Sequence, residues 1–344
     1  MADRFVTRLK FLGKLVLDEP ERIARQALFF CSGVVYPRYK RASVILPCSG
    51  GMGDNLMLTC VAREIRRRNQ DTWIHVLTRM PAIFERNPDI DFVSLCPRGM
   101  RSRLRPFHVR YHHDFPWKEH FLETMCRCVG IKSNIQFRTY IYPEEKDYAF
   151  ADRVIAELGD RPVLLARSAG KHGGFRKLWP INHWAQTVER LGNSVPVLDV
   201  GGEGLSLQVG RKNYRSLLGG TTVHQLAALM SRARALITVD TGPNHLASAF
   251  GLPTVCILGG VFPPEAIRYP YTRVLVNRPA CCDCWPEKEC TQNLKCLNSI
   301  SVDEVLAALA EVLEGGRQAE AAKIGCRSCE RNPRPDLNSV PSTA

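Results

Sequence analysis

The chain has 344 residues, of which 45% are hydrophobic and 24% charged, and its formal net charge is +13 at pH 7. This length and composition suit a globular protein of two ordinary domains. No run approaches the roughly 20 apolar residues of a membrane span, and the N-terminus lacks the features of a signal peptide. We therefore predict a cytoplasmic protein. Its charge favours an anionic partner, without choosing among phosphates, an acidic membrane surface and nucleic acid.

Residues 1–41 are predicted to form an extension ahead of the first domain. They hold nine Lys and Arg against four Asp and Glu. Apolar residues from Phe5 to Val16 recur at helical spacing, with basic residues around them. Two interpretations stay open. Either this basic segment lies on an anionic membrane, as a peripheral contact at the inner membrane face, or its apolar face packs on its own protein.

Residues 42–150 show an alternation of strands and helices that predicts a parallel sheet. The predicted strands are Ala42–Leu46, Thr72–Thr78, Phe92–Cys96 and Gln136–Ile141. The predicted helices are Asn55–Asn69, Ala82–Arg86 and Trp117–Val129. A charged stretch at Pro143–Arg161 is expected to contain a crossing helix, and we place the domain boundary there.

Residues 151–314 are predicted to form a second domain of the same kind. Short apolar runs bounded by Gly and Pro are typical of parallel strands that are covered on both faces. The predicted strands are Pro162–Ala166, Val195–Val200, Ala235–Val239, Pro253–Leu258 and Arg273–Val276. One predicted helix follows Pro180 and ends near Leu191. The others are Val223–Ala233, Asn244–Phe250 and Val302–Leu313. The polar tail, residues 315–344, is expected to be partly disordered.

One stretch of the second domain combines several polar groups at the end of a buried strand. The run Ala235–Val239 stops at Asp240-Thr241-Gly242-Pro243, and His245 follows. Asp240 or Thr241 can cap the next helix, whose free N–H groups would then form an anion site. A structural cap needs only one polar residue, so the group favours a functional site over a plain capped helix.

A glycine-rich loop in the first domain turns directly from a strand into a helix. Gly50, Gly51 and Gly53 allow a ligand to approach the backbone closely, and Asp54 follows them. The loop lacks the Gly-Lys-Ser/Thr ending of a P-loop and the third glycine of the dinucleotide fingerprint. From these residues alone, a simple helix cap explains Asp54 as well as a catalytic role does.

A third stretch, Lys177-Leu-Trp179-Pro180, comes just before a helix. A lysine at this place offers a point charge to a diphosphate. Ser168 lies in the preceding loop, and Glu203 follows the next predicted strand.

Together these stretches resemble the motifs of glycosyltransferase family 9, the heptosyltransferase-like enzymes. The matches are Gly-x-x-Gly-Asp-x-x-x-x-Thr, Lys-x-Trp-Pro and Asp-Thr-Gly-x-x-His, in that order along the chain. The resemblance implies an α/β fold of the GT-B type, in which two Rossmann-like, doubly wound domains face a cleft. Two positions depart from the family motifs. Cys60 stands where a proline is usual, and the turn at Arg167–Gly170 lacks the proline of the family's Pro-Gly-Ala turn.

The resemblance also implies roles for individual residues. Asp54 would be the general base, and Lys177 would act on the donor diphosphate. The implied donor contacts are Ser168, Lys177, Glu203, Asp240, Thr241, Gly242 and His245, and the implied acceptor-side loop is Gly50, Gly51 and Gly53. The expected donor is a nucleotide-diphosphate sugar, ADP-heptose above others, with no cofactor required. The expected acceptor is a lipopolysaccharide-type or other bacterial glycan, including a lipid-linked one.

Cysteines cluster near the end of the chain. Cys281 and Cys284 have CxxC spacing, as do Cys326 and Cys329, so these four are candidates for a structural metal site. Free thiols are the alternative in a cytosolic protein.

Two alternative functions remain open at this stage. A non-catalytic nucleotide-sugar-binding or interaction protein would use the same fold. Nucleic-acid binding rests on the charge alone, lacks a recognisable motif, and is not expected.

Overall fold

The computed structural model describes residues 43–48, 50–95, 109, 118–168, 174–282, 284 and 290–325. The predicted N-terminal extension, Cys326 and Cys329 lie outside these residues. The prediction of a membrane contact by residues 1–41 and the prediction of disorder at the end of the chain therefore stay predictions.

The described residues form strands and helices in alternation. The strands are β1 (Ser43–Cys48), β2 (Trp73–Thr78), β3 (Phe92–Leu95), β4 (Val163–Ala166), β5 (Val197–Asp199), β6 (Tyr214–Ser216), β7 (Ala235–Val239), β8 (Thr254–Leu258) and β9 (Thr272–Val276). The helices are α1 (Met52–Arg68), α2 (Phe121–Arg127), α3 (Glu145–Leu158), α4 (Ile181–Arg190), α5 (Val223–Arg232), α6 (Gly242–Ala247), α7 (Lys295–Asn298) and α8 (Val302–Gly325). Short 3-10 turns lie at Pro81–Phe84, Gly174–Lys177 and Pro264–Ala266.

The first sheet has the order β1-β2-β3, and both of its strand pairs are parallel. The prediction of a further strand at Gln136–Ile141 was wrong. This segment belongs to neither described sheet, because its polar groups bond to helices: Tyr140 N–H donates to Thr59 in α1, and the Thr139 hydroxyl donates to the carbonyl of His245 in α6.

The second sheet has the order β6-β5-β4-β7-β8-β9, and all of its pairs are parallel. The chain enters at β4, moves outward to β6, and then returns to β7 beside β4. The strand order therefore reverses between β4 and β7. In doubly wound folds this reversal opens a crevice at the carboxyl ends of the two strands, where ligands bind.

Alternate residues of β4 show that the second sheet is buried on both faces. Val163 and Leu165 pack in the cluster that contains Trp184 and residues of α8. Leu164 and Ala166 face the other cluster, which continues without a break into α1 of the first domain. Apolar burial is the main stabilising term in such layers, and here it also joins the two sheets into one packed body.

Helix α1 begins at Met52, three residues earlier than predicted. Gly51 is its N-cap residue, and the carboxylate of Asp54 accepts a hydrogen bond from the Gly51 N–H at 2.8 Å. Three basic residues, Arg66–Arg68, occupy the last turn, where positive charge stabilises the helix dipole. Asp54, which the sequence analysis identified as a functional candidate, therefore also stabilises the N-terminus of α1.

Several boundaries differ from the predictions because caps and packing override local pattern. Helix α2 begins at Phe121, since His120 caps it, and the predicted helix near Ala82 is a 3-10 turn. Strand β6 and helix α7 were not predicted. Helix α8 continues to Gly325, past the predicted end at Leu313. The predicted crossing helix is α3, which packs against α5.

Within the part of the chain that the structure describes, none of the helices combines the length and apolar character needed to cross a membrane.

Buried histidines make the stability of this fold sensitive to acid. His75 in β2 is 3% exposed, and its Nε2 lies 2.7 Å from the Ser94 hydroxyl. Burial lowers the pKa of His75 to about 4 and that of His120 to about 3, from 6.5. In the unfolded chain these imidazoles bind a proton below about pH 6.5, whereas in the folded chain they stay neutral until the lower pKa is reached.

We expect the free energy of unfolding to fall as the pH drops from about 6.5 towards 4. His75 alone should contribute about 2 kcal/mol of this loss between pH 7.5 and 5. The check is urea denaturation at both pH values for the wild type and for His75→Gln, which keeps a polar partner for Ser94 but does not titrate. Equal pH dependence in the two proteins would contradict the assignment to His75.

Candidate active site

Strands β4 and β7 end side by side, and each is followed by a residue predicted for the donor site. Ala166 in β4 is in register with Thr238 in β7. Ser168 therefore lies just past one strand end, and Asp240 lies just past the other. The predicted donor residues of two separate motifs thus reach the crevice where the strand order reverses.

Lys177 and Asp240 form an ion pair at this edge of the sheet. The Lys177 Nζ lies 2.7 Å from the Asp240 Oδ2, and it also lies 5.3 Å above the ring of Phe262. The Asp240 side chain is 6% exposed and the Lys177 side chain 22% exposed. A nearly buried carboxylate needs a counter-charge. Lys177 supplies it while keeping part of its surface open to a ligand.

The N-termini of α1 and α6 come into direct contact. A Cβ atom at Gly53 would lie 2.6 Å from the Cδ2 of His245, and one at Gly242 would collide with the side chain of Met52. Only glycine permits so close an approach at both positions. The glycine-rich loop of the first domain and the Asp-Thr-Gly-Pro-x-His motif of the second are therefore parts of one site.

His245 lies at the centre of this contact. Its Nδ1 is 2.7 Å from the Tyr269 hydroxyl. Burial lowers the pKa of His245 below its usual value, while the charges of Asp240 and Asp54 oppose that shift and the charge of Lys177 adds to it. The imidazole is neutral at neutral pH, and its ring packs against Gly53, the residue before Asp54.

The carboxylate of Asp54 lies against the backbone of the glycine-rich loop. Its Oδ2 accepts the Gly51 N–H, and a Cβ atom at Gly50 would collide with the carboxyl group. The residue remains partly exposed. A carboxylate has about four lone-pair positions, so one capping bond leaves it able to accept another proton or hydrogen bond.

Helix α6 is shorter than predicted, and its capping differs. It spans Gly242–Ala247 in place of Asn244–Phe250, and its N-cap residue, Thr241, makes no side-chain capping bond. The predicted side-chain cap was therefore wrong. A helix of six residues has a small dipole, so we assign most of the positive charge at this site to Lys177.

Ser168 and Glu203 belong to two neighbouring loops. Gly201 has a φ of 125°, and a Cβ atom there would lie 3.1 Å from the Ser168 Oγ. Glu203 is exposed and packs against Gly219. These two predicted donor residues therefore line adjacent strand ends, β4 and β5.

A buried network beneath these loops was not predicted. Asp199 at the end of β5 accepts from the Arg167 Nε at 2.8 Å and from the Tyr214 hydroxyl at 3.0 Å. Arg167 also donates to the carbonyl of Leu205, and the N–H of Leu207 donates to the Tyr214 hydroxyl. Burial raises the pKa of Asp199 despite both partners. The network holds the Glu203 loop against the loop of Ser168.

The comparison with known families decides the assignment. The model of glycosyltransferase family 9 (heptosyltransferase) matches residues 97–297, more than half of the chain. The matched span contains both the Lys177–Pro180 and the Asp240–His245 motifs. The chain belongs to glycosyltransferase family 9. The matched span does not include Gly50–Asp54, which the structure brings to the same place.

Solved structures share the fold of this family 9 protein. The glycosyl transferase family 9 protein of Veillonella parvula DSM 2008 is 17% identical, with 80% of this chain and 98% of that chain covered and a TM-score of 0.64. The ADP-heptose LPS heptosyltransferase II of E. coli is 16% identical, with 80% of this chain and 99% of that chain covered and a TM-score of 0.58. The iron-containing dodecameric glycosyltransferase TibC of enterotoxigenic E. coli H10407 is 17% identical, with 80% of this chain and 77% of that chain covered and a TM-score of 0.56.

At these identities the likeness shows the fold alone, and it is the α/β, GT-B fold that the sequence predicted. Among curated proteins, none matches the chain.

Five cysteines of this family 9 protein line a cavity of about 70 Å³. They are Cys281, Cys282, Cys284, Cys290 and Cys296. Among the described residues, no three Cys, His, Asp or Glu side chains are placed to hold a metal ion. Cys326 and Cys329 lie outside the described residues, so the four-cysteine metal site stays a prediction, and we assign no catalytic step to a metal.

Sequence reasoning missed the residues that support the site. Tyr269 contacts His245, and Thr139 contacts the same residue from 106 positions away in the chain. Neither belongs to a motif or a periodic pattern. No local signal in the sequence could have identified them, because their roles come entirely from contacts through space.

Proposed function

We propose that this family 9 protein is an inverting glycosyltransferase. It moves heptose, or a related sugar, from a nucleotide-diphosphate donor to a hydroxyl of a lipopolysaccharide-type or other bacterial glycan. One observation carries the proposal: Gly53, next to Asp54, packs against the ring of His245 in the helix that directly follows Asp240, the partner of Lys177. ADP-heptose is the first donor to test, because the heptosyltransferase II of similar fold is described as an ADP-heptose enzyme.

The donor binds at the carboxyl edge of the second sheet in this proposal. Its diphosphate meets Lys177, the Thr241 hydroxyl and the N–H of Gly242, and its nucleoside lies along Ser168 and Glu203. Asp240 would repel a diphosphate if its charge were uncompensated. The Lys177 Nζ at 2.7 Å offsets that charge, and it lets Asp240 order the loop or bind a sugar hydroxyl.

The acceptor binds on the side of α1. Asp54 takes the proton of an acceptor hydroxyl as that oxygen attacks the anomeric carbon of the donor sugar. The bond from this carbon to the diphosphate oxygen breaks, and the nucleoside diphosphate leaves with the electron pair. Lys177, Thr241 and Gly242 stabilise the negative charge that develops on the leaving group. A single displacement from the opposite face inverts the anomeric centre.

In this mechanism the positive charge comes from Lys177, and the hydrogen-bond donors are the Thr241 hydroxyl and the N–H of Gly242. All three groups belong to the chain itself. We therefore propose that transfer is independent of added metal. Turnover that persists in the presence of EDTA is the expected result.

A second candidate function is a nucleotide-sugar-binding protein without catalysis. One observation favours it: the Asp54 Oδ2 is already engaged by the Gly51 N–H, as in an ordinary helix start. The two functions share donor binding and differ in turnover.

The test uses the purified full chain and a panel of ADP-, GDP- and UDP-sugars. Thermal shift reports binding, and release of nucleoside diphosphate with a glycan acceptor reports turnover. A cognate donor at 100 times its Kd should add about 2.7 kcal/mol of stability. No shift with any donor would contradict both functions. A shift without turnover for any acceptor would favour the binding protein.

A further inference from the structure

The extended segment Gln136–Tyr142 lies between the two helices that meet at the site. On one side it is fixed to α1. The N–H of Tyr140 donates to the Thr59 hydroxyl at 2.8 Å, and the N–H of Gln136 donates to the buried carboxylate of Glu64 at 3.1 Å. On this side the segment is therefore fixed to the helix that follows β1.

The other side of the segment is bonded to the C-terminal end of α6. The Thr139 hydroxyl donates to the carbonyl of His245 at 2.8 Å, and the Thr139 N–H donates to the Ser248 hydroxyl at 3.1 Å. Arg138 donates to the carbonyl of Ala249 through Nε at 3.2 Å and through Nη2 at 2.7 Å. Thr139 is fully buried, so water does not compete for the bonds that it makes.

The Thr139 hydroxyl thus adds a second donor to the His245 carbonyl, which lies in the last turn of the helix and also accepts from the Ser248 hydroxyl. The bonds from Thr139 and Arg138 come from a segment that is itself fixed to α1. Helix α6 connects β7 to β8 of the second sheet, yet α1 holds its N-terminus at Gly242 and the segment holds its C-terminus. The helix that carries His245 is therefore attached to the acceptor side at both ends.

We propose that Arg138 and Thr139 are positioning residues for the transfer reaction. They hold α6 against α1, and in this way they fix the Lys177–Asp240 pair relative to Asp54. The inference rests on the proposed function and adds to it the residues that align donor and acceptor. Reacting atoms must lie about 3–3.5 Å apart, and a shift of about 1 Å lowers the rate on the order of 100-fold.

The test variant is Thr139→Val, which keeps the shape of the side chain and removes the hydroxyl donor. Thr139→Ser restores the donor and is the rescue variant. Thr187→Val is the matched control, since the Thr187 hydroxyl is equally buried and donates at 2.8 Å to the carbonyl of His183 in α4. Both valine variants lose a hydroxyl that donates to a helix carbonyl, and Thr139→Val also loses the bond that Thr139 accepts from Ser248. Of these bonds, only those of Thr139 join α6 to the segment that is fixed to α1.

Two readouts separate positioning from simple stability. We expect Thr139→Val to lower kcat about 10- to 100-fold with little change in the donor Kd. Thr139→Ser and Thr187→Val should stay within about twofold of the wild type. Amide hydrogen exchange over residues 242–249 should accelerate in Thr139→Val and not in Thr187→Val.

Equal effects of Thr139→Val and Thr187→Val on kcat and on exchange would overturn the inference. If Thr139→Val does not fold, Arg138→Ala takes its place and Arg138→Lys serves as its conservative variant. A wild type that transfers no sugar contradicts the proposed function. The exchange measurement then still decides whether Arg138 and Thr139 hold α6.

Discussion

Asp54→Asn should reduce sugar transfer to roughly one-hundredth of the wild-type rate or less, because a general base contributes on the order of 10²- to 10⁴-fold. An asparagine amide does not take the proton of the acceptor hydroxyl. Donor affinity should change little, since the proposed donor contacts lie at Lys177, Thr241 and Gly242 and not at Asp54. The measurement is kcat with a glycan acceptor, together with the donor Kd from titration calorimetry.

Asparagine is the informative substitution because of the hydrogen bond that starts α1. Its side-chain oxygen accepts the Gly51 N–H as Asp54 does at 2.8 Å, so the helix start is preserved. Asp54→Ala loses both the bond and the base, and it should also lose about 1 kcal/mol of stability. If D54N transfers sugar as the wild type does and D54A is merely less stable, Asp54 is a helix cap and the base is another group.

The second large effect is expected for Lys177→Met, which removes the positive charge and keeps the apolar stem. Loss of a group that stabilises developing charge typically costs on the order of 10²- to 10³-fold in kcat. Lys177→Arg should restore only part of the rate, because the planar guanidinium does not occupy the place of a compact ammonium. Steady-state kinetics with saturating donor and acceptor give the comparison.

The ion pair to Asp240 requires a control. Lys177→Met leaves the Asp240 carboxylate, which is 6% exposed, without its counter-charge. Such an uncompensated charge can destabilise the site by itself. The double variant Lys177→Met with Asp240→Asn removes both charges. Recovery of activity in the double variant would show that the unpaired carboxylate, and not the missing lysine, caused the loss.

Local features of this protein were readable from the sequence. The strands β4, β7 and β8 follow from short apolar runs, because a strand that is buried on both faces must be apolar throughout. The prediction of an α/β fold with parallel sheets is confirmed, and so is membership in family 9. The motif residues could be selected because an acid, a hydroxyl, a glycine and a histidine within six positions exceed what a helix cap needs.

The tertiary structure decided how those residues meet. Lys177 and Asp240 are 63 positions apart, and their pairing depends on the neighbouring ends of β4 and β7. Gly53 could be recognised as a flexible residue, but its contact with the ring of His245 arises only when α1 packs on α6. The segment at Gln136–Ile141 resembles a strand in sequence because it is rich in aromatic and β-branched residues. Its hydrogen bonds go to helices because no strand lies beside it in the described sheets.

The sequence by itself therefore determined the family, the layers and the chemical groups on offer, since these depend on residue type and local periodicity. It did not determine that Thr139 and Arg138 hold the end of α6, or that Tyr269 holds His245. Those contacts join residues more than 20, and in two cases more than 100, positions apart. The Thr139 and Arg138 contacts arise only when α1 and α6 are packed together, because only then does the end of a short helix meet donors from a segment that is fixed to α1.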